Sequence, residues 1–219
     1  MPDYIAGHPS VKSHSSRSGL KPAEMLLDRS YHHAAMKRLP DSWKRGRPDI
    51  VHFALMEALS TPLFVKGMLK VYVHTANDKV ITIADNLRVP KSYFRFEGLM
   101  VSLLRDGAVK SDEGTVLMEL ANCTFSSLVN DIRADKVVGL STAGVQSSVH
   151  RVVGVARGLG DCAFVIGGFP NGHFSEKVTK NLGPTYSISD IGLEAHVVIA
   201  RILYECELLE EGVHHEGNE

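Results

Sequence analysis

Residues 137–168, VVGLSTAGVQSSVHRVVGVARGLGDCAFVIGG, decide the fold predicted for this chain. Residues 137–140 and 163–166 are apolar runs of strand length, and the second run ends at a pair of glycines. Between them, residues 149–155 have helical spacing. A strand, a helix and a second strand in this order predict an α/β fold with a largely parallel sheet.

The last predicted element is a helix that is apolar on two faces. One apolar stripe runs from Leu193 to Leu208, and the other runs from Ile199 to Cys206. Such a helix needs two packing partners. One partner is the sheet, and the other could be a second subunit.

The first half of the chain predicts a β-rich insertion, preceded by a flexible N-terminal segment. Residues 69–83 alternate as a hairpin, and residues 93–104 follow as a helix. We therefore expect an inserted hairpin lobe over about residues 62–92. Residues 1–20 are rich in Ser, His, Gly and Pro, so we expect a flexible arm ahead of a single domain over residues 21–219.

The composition of the 219 residues is that of an ordinary globular protein. Hydrophobic residues make up 44%, charged residues make up 22%, and the net charge is −1. This near-neutral total argues against wholesale wrapping of nucleic acid, but it allows a local basic patch. No apolar run reaches the roughly 18 residues of a membrane span, and residues 1–20 lack the centre of a signal peptide. We expect a cytoplasmic protein with no membrane partner.

The spacing of the histidines argues against a metal site. The pairs His32-His33 and His214-His215 are adjacent in sequence, and adjacent residues on a helix or strand point apart. We therefore predict no metal and expect both pairs at the surface. His52, near a basic loop, is more typical of a packed core histidine than of an acid or base.

Two basic segments each lead from a loop into a predicted helix. They are KRGRPD at residues 44–49 and RVPKSYFR at residues 88–95. The positive end of a helix favours phosphate, and the rings of Tyr93 and Phe94 can stack on unpaired bases. The segments favour RNA binding, although two solvated loops would have the same composition.

Within the first basic segment, Asp49 follows Arg47 by two residues. This spacing allows a charge-assisted pair between the carboxylate and the guanidinium. Alone, the pattern Arg-x-Asp is a weak signal of function.

Three short glycine-bearing segments lie in the last third of the chain. They are LSTAG at residues 140–144, IGGFPNG at residues 166–172 and SDIGL at residues 189–193. Ligands of α/β sheets bind beyond the carboxyl ends of strands, and glycine lets backbone approach a ligand closely. The segments predict a pocket lined by backbone, although glycine-rich turns without a ligand are an open alternative.

Taken together, these segments resemble the ribosomal RNA small-subunit pseudouridine N1-methyltransferase family, which belongs to the SPOUT class of trefoil-knotted methyltransferases. The archaeal members look most similar. The matching stretches are RGRPDIVHFALMEALSTPL (45–63), KVYVHTANDKVITI (70–83), RVPKSYFRFEGLM (88–100), FVIGGFPNGHF (164–174) and ISDIGLEAHV (188–197).

The resemblance implies a SPOUT-type α/β knot that binds S-adenosyl-L-methionine. A deep C-terminal trefoil knot is expected within about residues 136–210, and its three loops would be residues 140–144, 166–172 and 189–195. The implied cofactor-binding residues are Leu140, Ser141, Thr142, Gly167, Gly168, Gly172, Ile188, Leu193, Glu194 and Ala195.

The resemblance also implies methylation of N1 of a pseudouridine in small-subunit ribosomal RNA, by a homodimer that assists assembly of the small subunit. Small-subunit ribosomal proteins are further candidate partners. Arg47 and Asp49 are the implied catalytic residues. The implied RNA-binding residues are Arg45, Arg47, Arg88, Lys91 and Arg95. A non-catalytic RNA-binding protein of ribosome assembly is the alternative, since it would share the basic segments.

Overall fold

The computed structural model describes residues 1–85, 87–158 and 160–212 and divides the chain into two compact units. The first unit comprises Met1–Phe53, Tyr72–Asn122 and Gly168–Gly172. The second unit comprises Ala54–Val71, Cys123–Gly167 and the chain from His173 onwards. The pair His214-His215 lies outside the described residues.

Helices and strands alternate along much of the chain. The helices are α1 (Asp3–Ala6), α2 (Pro9–Ser18), α3 (Arg29–Met36), α4 (Pro48–Ala58), α5 (Pro62–Val65), α6 (Tyr93–Asp106), α7 (Phe125–Ile132), α8 (Val149–Arg157), α9 (Glu176–Thr179) and α10 (Ala195–Glu210). The strands are β1 (Tyr72–His74), β2 (Lys79–Ile83), β3 (Ala108–Lys110), β4 (Val116–Asn122), β5 (Lys136–Gln146), β6 (Cys162–Ile166) and β7 (Thr185–Ser187). Short 3₁₀ turns occupy Pro22–Glu24 and Ser42–Lys44.

The beginning of the chain is helical, where the composition predicted a flexible arm. The ring Nδ1 of His8 accepts a hydrogen bond from the amide of Ser10 and caps α2, which begins at Pro9. Ile5 and Val11 are fully buried in a small core. Their partners in that core are Ala35, Met36 and Leu39. Two buried side chains anchor the segment, too few to give a visible apolar period.

The first unit contains an antiparallel sheet in the order β1-β2-β4-β3. Its first two strands confirm the predicted hairpin, with Val73 opposite Ile81. Ile81 on β2 and Met118 on β4 are buried. The sheet extends beyond residues 62–92 because β4, which follows α6 in sequence, pairs with β2. Strand β3 was not predicted, since three residues are too few to show alternation.

The second unit contains a parallel sheet in the order β6-β5-β7, which confirms the parallel sheet predicted from residues 137–168. The helix between the first two of these strands is α8, as expected. Two details differ from the sequence analysis. Strand β5 continues to Gln146 instead of ending at Leu140, and β7 adds a third strand that the sequence analysis did not predict.

Helix α10 packs one face into the core of the second unit. Ile202, Leu203 and Cys206 are buried there, and their neighbours include Val138 on β5 and Val152 on α8. Tyr204, which belongs to the other predicted apolar stripe, remains exposed. The sheet is therefore one partner of this helix, as predicted.

Candidate functional site

Arg47 and Asp49 form a bidentate ion pair at the start of α4. The guanidinium donates from Nε to Oδ1 at 2.8 Å and from the terminal Nη2 to Oδ2 at 2.7 Å. The hydrogen bond from Arg47 lowers the pKa of Asp49, so the carboxylate is ionised near neutral pH. Both side chains are partly exposed. The pair therefore fixes a guanidinium at a position that solvent reaches.

Arg45 and Gly46, in the same basic segment, are held by contacts within the first unit. Arg45 donates from Nε to the Pro40 carbonyl at 3.0 Å and from Nη1 to Asn77 Oδ1 at 3.1 Å. Gly46 has a φ of +73°, and a Cβ there would lie 2.7 Å from Met36 Cε. Only glycine fits this position without displacing the methionine. The guanidinium of Arg45 is thus already engaged, which weakens its case as an RNA-binding group.

His52 joins the two basic segments through the core of the first unit. Its Nε2 lies 2.7 Å from the carbonyl oxygen of Pro90, which can only accept, so Nε2 carries the proton. The ring stacks on Phe96, with centroids 4.5 Å apart. The interpretation of His52 as a packed, hydrogen-bonded histidine is confirmed.

The second basic segment presents its cations to solvent beside the start of α6. Arg88, Lys91 and Arg95 are exposed and form no ion pair or hydrogen bond with any residue that the structure describes. Phe94, between two of them, is 81% exposed. Unpaired cations beside an exposed ring suit phosphate and base contacts of an RNA strand.

Tyr93 is engaged instead in a buried polar network. Its hydroxyl donates to Oδ2 of buried Asp28, and burial together with that bond raises the Tyr93 pKa. Asp28 also caps α3 by accepting from the Ser30 amide, and its own amide donates to His32 Nδ1. The network ends at His14 Nδ1, 3.0 Å from His32 Nε2.

His32 is fully buried, so the expectation of a surface histidine was wrong. It packs inward because Asp28 and His14 satisfy both ring nitrogens. Burial lowers its pKa to about 4. The first unit therefore holds a neutral histidine in the same polar network as Tyr93, at the start of α6.

In the second unit, the register of the parallel sheet aligns one residue from each of its three strands. Leu140 on β5 is the Cα partner of Ile166 on β6 and of Tyr186 on β7. The segment after Ile166 leaves the sheet at this edge, as expected, whereas the chain after Leu140 continues in β5. Ser141 Oγ lies 3.2 Å from His173 Nδ1 and links two parts of that edge.

The segment at residues 141–144 is a bulge within β5, whereas the sequence predicted a loop after the strand. Tyr186 is the Cα partner of both Leu140 and Val145, so the residues between them are pushed out of the pairing. A Cβ on Gly144 would lie 2.6 Å from the backbone N and C of Tyr186. Glycine is required here because backbone cannot move aside.

The edge has the openness that a ligand bound through backbone needs. A Cβ on Gly192 would meet nothing within 4 Å, so the main chain there can be approached closely. The turn before it is braced by Ser187 Oγ, which donates to the Ser189 carbonyl at 2.8 Å. These residues fit a methyl donor such as S-adenosylmethionine, whose polar groups backbone atoms can satisfy.

The predicted cofactor-binding residues divide between the two units. Gly168 and Gly172 belong to the first unit, and Gly168 is exposed, with Val51 Cγ2 3.9 Å from its ideal Cβ. Those of the second unit are Leu140, Ser141, Thr142, Gly167, Ile188, Leu193, Glu194 and Ala195.

The first unit also holds a contact that the sequence analysis missed. Lys44 Nζ lies 5.1 Å from the centroid of the Phe169 ring. A Cβ on Gly172, whose φ is +89°, would lie 3.3 Å from Lys44 Cε and 3.7 Å from Trp43 Nε1. The glycine-rich segment and the first basic segment are thus in contact. No sequence signal relates them, because they are distant along the chain.

The part of the chain that the structure describes has neither a metal-binding cluster nor a membrane-spanning helix. Within residues 1–85, 87–158 and 160–212, no three His, Cys, Asp or Glu side chains are placed to hold a metal ion. Over the same ranges, every helix is too short or too polar to span a bilayer.

Comparison with known proteins extends over both units. A family model described as EMG1/NEP1 methyltransferase matches residues 8–207. The chain is 38% identical over 206 residues to the ribosomal RNA small subunit methyltransferase Nep1 of Thermococcus onnurineus, covering 94% of this chain and 92% of the relative. It is 39% identical over 206 residues to Nep1 of Saccharolobus solfataricus, covering 94% and 90%. The crystal structure of Archaeoglobus fulgidus Nep1 bound to S-adenosylhomocysteine is similar, with a TM-score of 0.85 and 34% identity, and the match covers 96% of this chain and 93% of that one.

Proposed function

Because this chain belongs to the EMG1/NEP1 methyltransferase family, we propose that it methylates N1 of a pseudouridine in small-subunit ribosomal RNA. It is an S-adenosylmethionine-dependent methyltransferase of that RNA. The family resemblance read from the sequence is confirmed. A protein that only binds RNA during ribosome assembly, which was the alternative, would have no need of a methyl donor.

The donor site in this proposal is the glycine-bearing edge of the second unit. S-adenosylmethionine supplies an activated methyl group on a sulfonium sulfur when it is bound. The backbone beside Leu140, Ile166 and Tyr186 holds it, with Ile188, Leu193 and the other predicted residues of the second unit around it. The bulge at Gly144 shapes this edge, since it displaces residues 141–144 from regular pairing.

RNA is bound by the first unit. Arg88, Lys91 and Arg95 contact phosphates, and the exposed ring of Phe94 stacks on an unpaired base. The target base leaves its stack to be methylated, because the N1 atom of a stacked base is inaccessible. Arg45 contributes less than the others because its guanidinium is engaged within the unit.

Arg47 contacts the target nucleotide and stabilises the negative charge that develops on the base. N1 would bond to the methyl group as the bond from that methyl to the sulfonium sulfur breaks, which leaves a neutral thioether. The imide-like proton of N1 would pass to water, so no strong base is needed. The lowered pKa of Asp49 favours a positioning role for this residue, since a weak base withdraws a proton poorly. Asp49 therefore holds Arg47 in one orientation.

Several expectations from the resemblance are part of the same proposal. They are a trefoil knot within residues 136–210, an inserted lobe near residues 62–92, a homodimer that uses α10, a cytoplasmic location and contacts with small-subunit ribosomal proteins. The exposed Tyr204 on α10 supports a further packing partner for that helix.

The observation that carries the proposal is the shared edge formed by Leu140, Ile166 and Tyr186, in a chain whose family match covers residues 8–207. The test is methylation of two short hairpin RNAs, one with uridine and one with pseudouridine at the same position. Mass spectrometry of the nucleosides is expected to show N1-methylpseudouridine from the second RNA alone. Methylation of neither RNA, with binding of both, would leave the assembly role instead.

A further inference from the structure

The glycine-rich segment Gly168–Gly172 is held by the first basic segment. It groups with the first unit, although the strand that precedes it, β6, belongs to the second. Within the first unit, Lys44 lies over the Phe169 ring, and Trp43 and Lys44 border Gly172. Residues predicted to bind the methyl donor are thus in contact with a segment predicted to bind RNA.

Gly172 lies in close contact with Lys44 and Trp43. Its φ of +89° is a conformation that residues with a Cβ rarely adopt, and an added Cβ would crowd Lys44. The Lys44 stem lies along the glycine, and its ammonium group is attracted to the face of the Phe169 ring. The glycine-rich segment is therefore in contact with Lys44 of the basic segment and with Trp43, which immediately precedes it.

The basic segment is itself fixed a few residues further along. Arg45 is bonded to Pro40 and Asn77, and the Gly46 carbonyl accepts from the Arg29 amide at 2.8 Å. Arg47, which follows at once, is held by Asp49. Residues 43–47 form one braced segment, and such a segment is the kind of continuous structure through which two ends can be coupled.

We propose that Trp43 and Lys44 are positioning residues for the donor-binding segment, and that they link the affinity for the methyl donor to the affinity for RNA. This inference rests on the proposed function, because it takes Gly168 and Gly172 as donor contacts and Arg47 as an RNA contact. Linkage is reciprocal: if RNA bound at Arg47 steadies the segment for the donor, the donor strengthens RNA binding by the same factor.

Calorimetry with S-adenosylhomocysteine in the absence of RNA tests the positioning role. Lys44→Met keeps the apolar stem and removes the charge over Phe169. It is expected to weaken S-adenosylhomocysteine binding about threefold to tenfold. Phe169→Leu is expected to do the same, and the double variant to be little weaker than either single one. Additive losses, or unchanged affinity in Lys44→Met, would overturn the inference.

Lys91→Met is the matched control. Lys91 is an exposed lysine of the same unit and contacts no described residue through its charge. The Lys91→Met variant should weaken RNA binding without changing the affinity for S-adenosylhomocysteine. A loss of that affinity equal to the loss in Lys44→Met would indicate a general charge effect and overturn the inference. Thermal melting checks that each variant is folded.

RNA titrations with and without S-adenosylhomocysteine test the linkage. The unaltered protein is expected to bind a hairpin RNA at least fivefold more tightly when S-adenosylhomocysteine is present, and Lys44→Met to lose most of that gain. An equal gain in both proteins would overturn the linkage. If the unaltered protein binds no S-adenosylhomocysteine, the proposed donor site fails and this inference falls with it.

Discussion

The first unit exposes a cluster of cationic side chains, whereas the second has a sheet edge made largely of backbone. Arg88, Lys91 and Arg95 are exposed cations whose chemistry is evident from residue type alone. The edge at Leu140, Ile166 and Tyr186 has little such chemistry and depends on register. A substitution in the first unit should therefore change one interaction, whereas one in the second should change the shape of the whole edge.

The largest effect is expected from Gly144→Ala in the second unit. The new Cβ would lie 2.6 Å from the Tyr186 backbone, so the β5–β7 pairing must shift. The free energy of unfolding should fall by about 3 kcal/mol, with loss of S-adenosylhomocysteine binding. Urea denaturation and calorimetry measure the two losses.

Gly154→Ala is the control for that variant. Gly154 lies on α8 with nothing within 4 Å of its ideal Cβ, so alanine should stabilise the helix by about 0.5 kcal/mol. Equal stability of the two variants would contradict the view that backbone approach shapes the donor edge.

A smaller effect, on rate rather than folding, is expected from Arg47→Ala in the first unit. Loss of the guanidinium that we propose contacts the target base should lower the single-turnover rate of RNA methylation about 100-fold and reduce the salt dependence of RNA binding. Arg105→Ala is the comparison, since Arg105 also pairs with an aspartate but stands outside the basic segments. Equal single-turnover rates for both variants would show that Arg47 is not part of the catalytic site.

The smallest expected effect is on the pH dependence of stability. His32 titrates near pH 4 in the folded protein and near 6.5 when unfolded, so the unfolded chain binds more protons between these values. The stabilisation from neutral His32 is complete above about pH 6.5 and is lost as the pH falls towards 4. The free energy of unfolding should drop by about 2 kcal/mol between pH 7 and pH 5.

Urea titrations at the two pH values measure that drop, and His32→Gln should remove much of it. If the free energy of unfolding of the variant depends on pH as strongly as that of the unaltered protein, other groups cause the effect. Asp28 and His14 stay in place in this variant, so the comparison isolates the buried ring.

Prediction from sequence succeeded where a local pattern was long or a residue type was chemically distinctive. The hairpin, the helix after Ser92 and the strand–helix–strand unit all have periodic side chains over several residues. The Arg47–Asp49 pair follows from spacing. Prediction failed at residues 1–20, where two buried side chains are enough to anchor the segment. It also failed at His32, whose partners come from tertiary packing.

The sequence by itself determined the α/β class, the parallel connection of β5 to β6, the two basic segments and the family. These follow from apolar periods, charges and motifs that neighbouring residues carry. The tertiary structure decided the bulge opposite Tyr186, the burial of His32 and the contact of Lys44 with Phe169. Each depends on atoms that are distant along the chain, and only the register of strands and the packing of loops bring such atoms together.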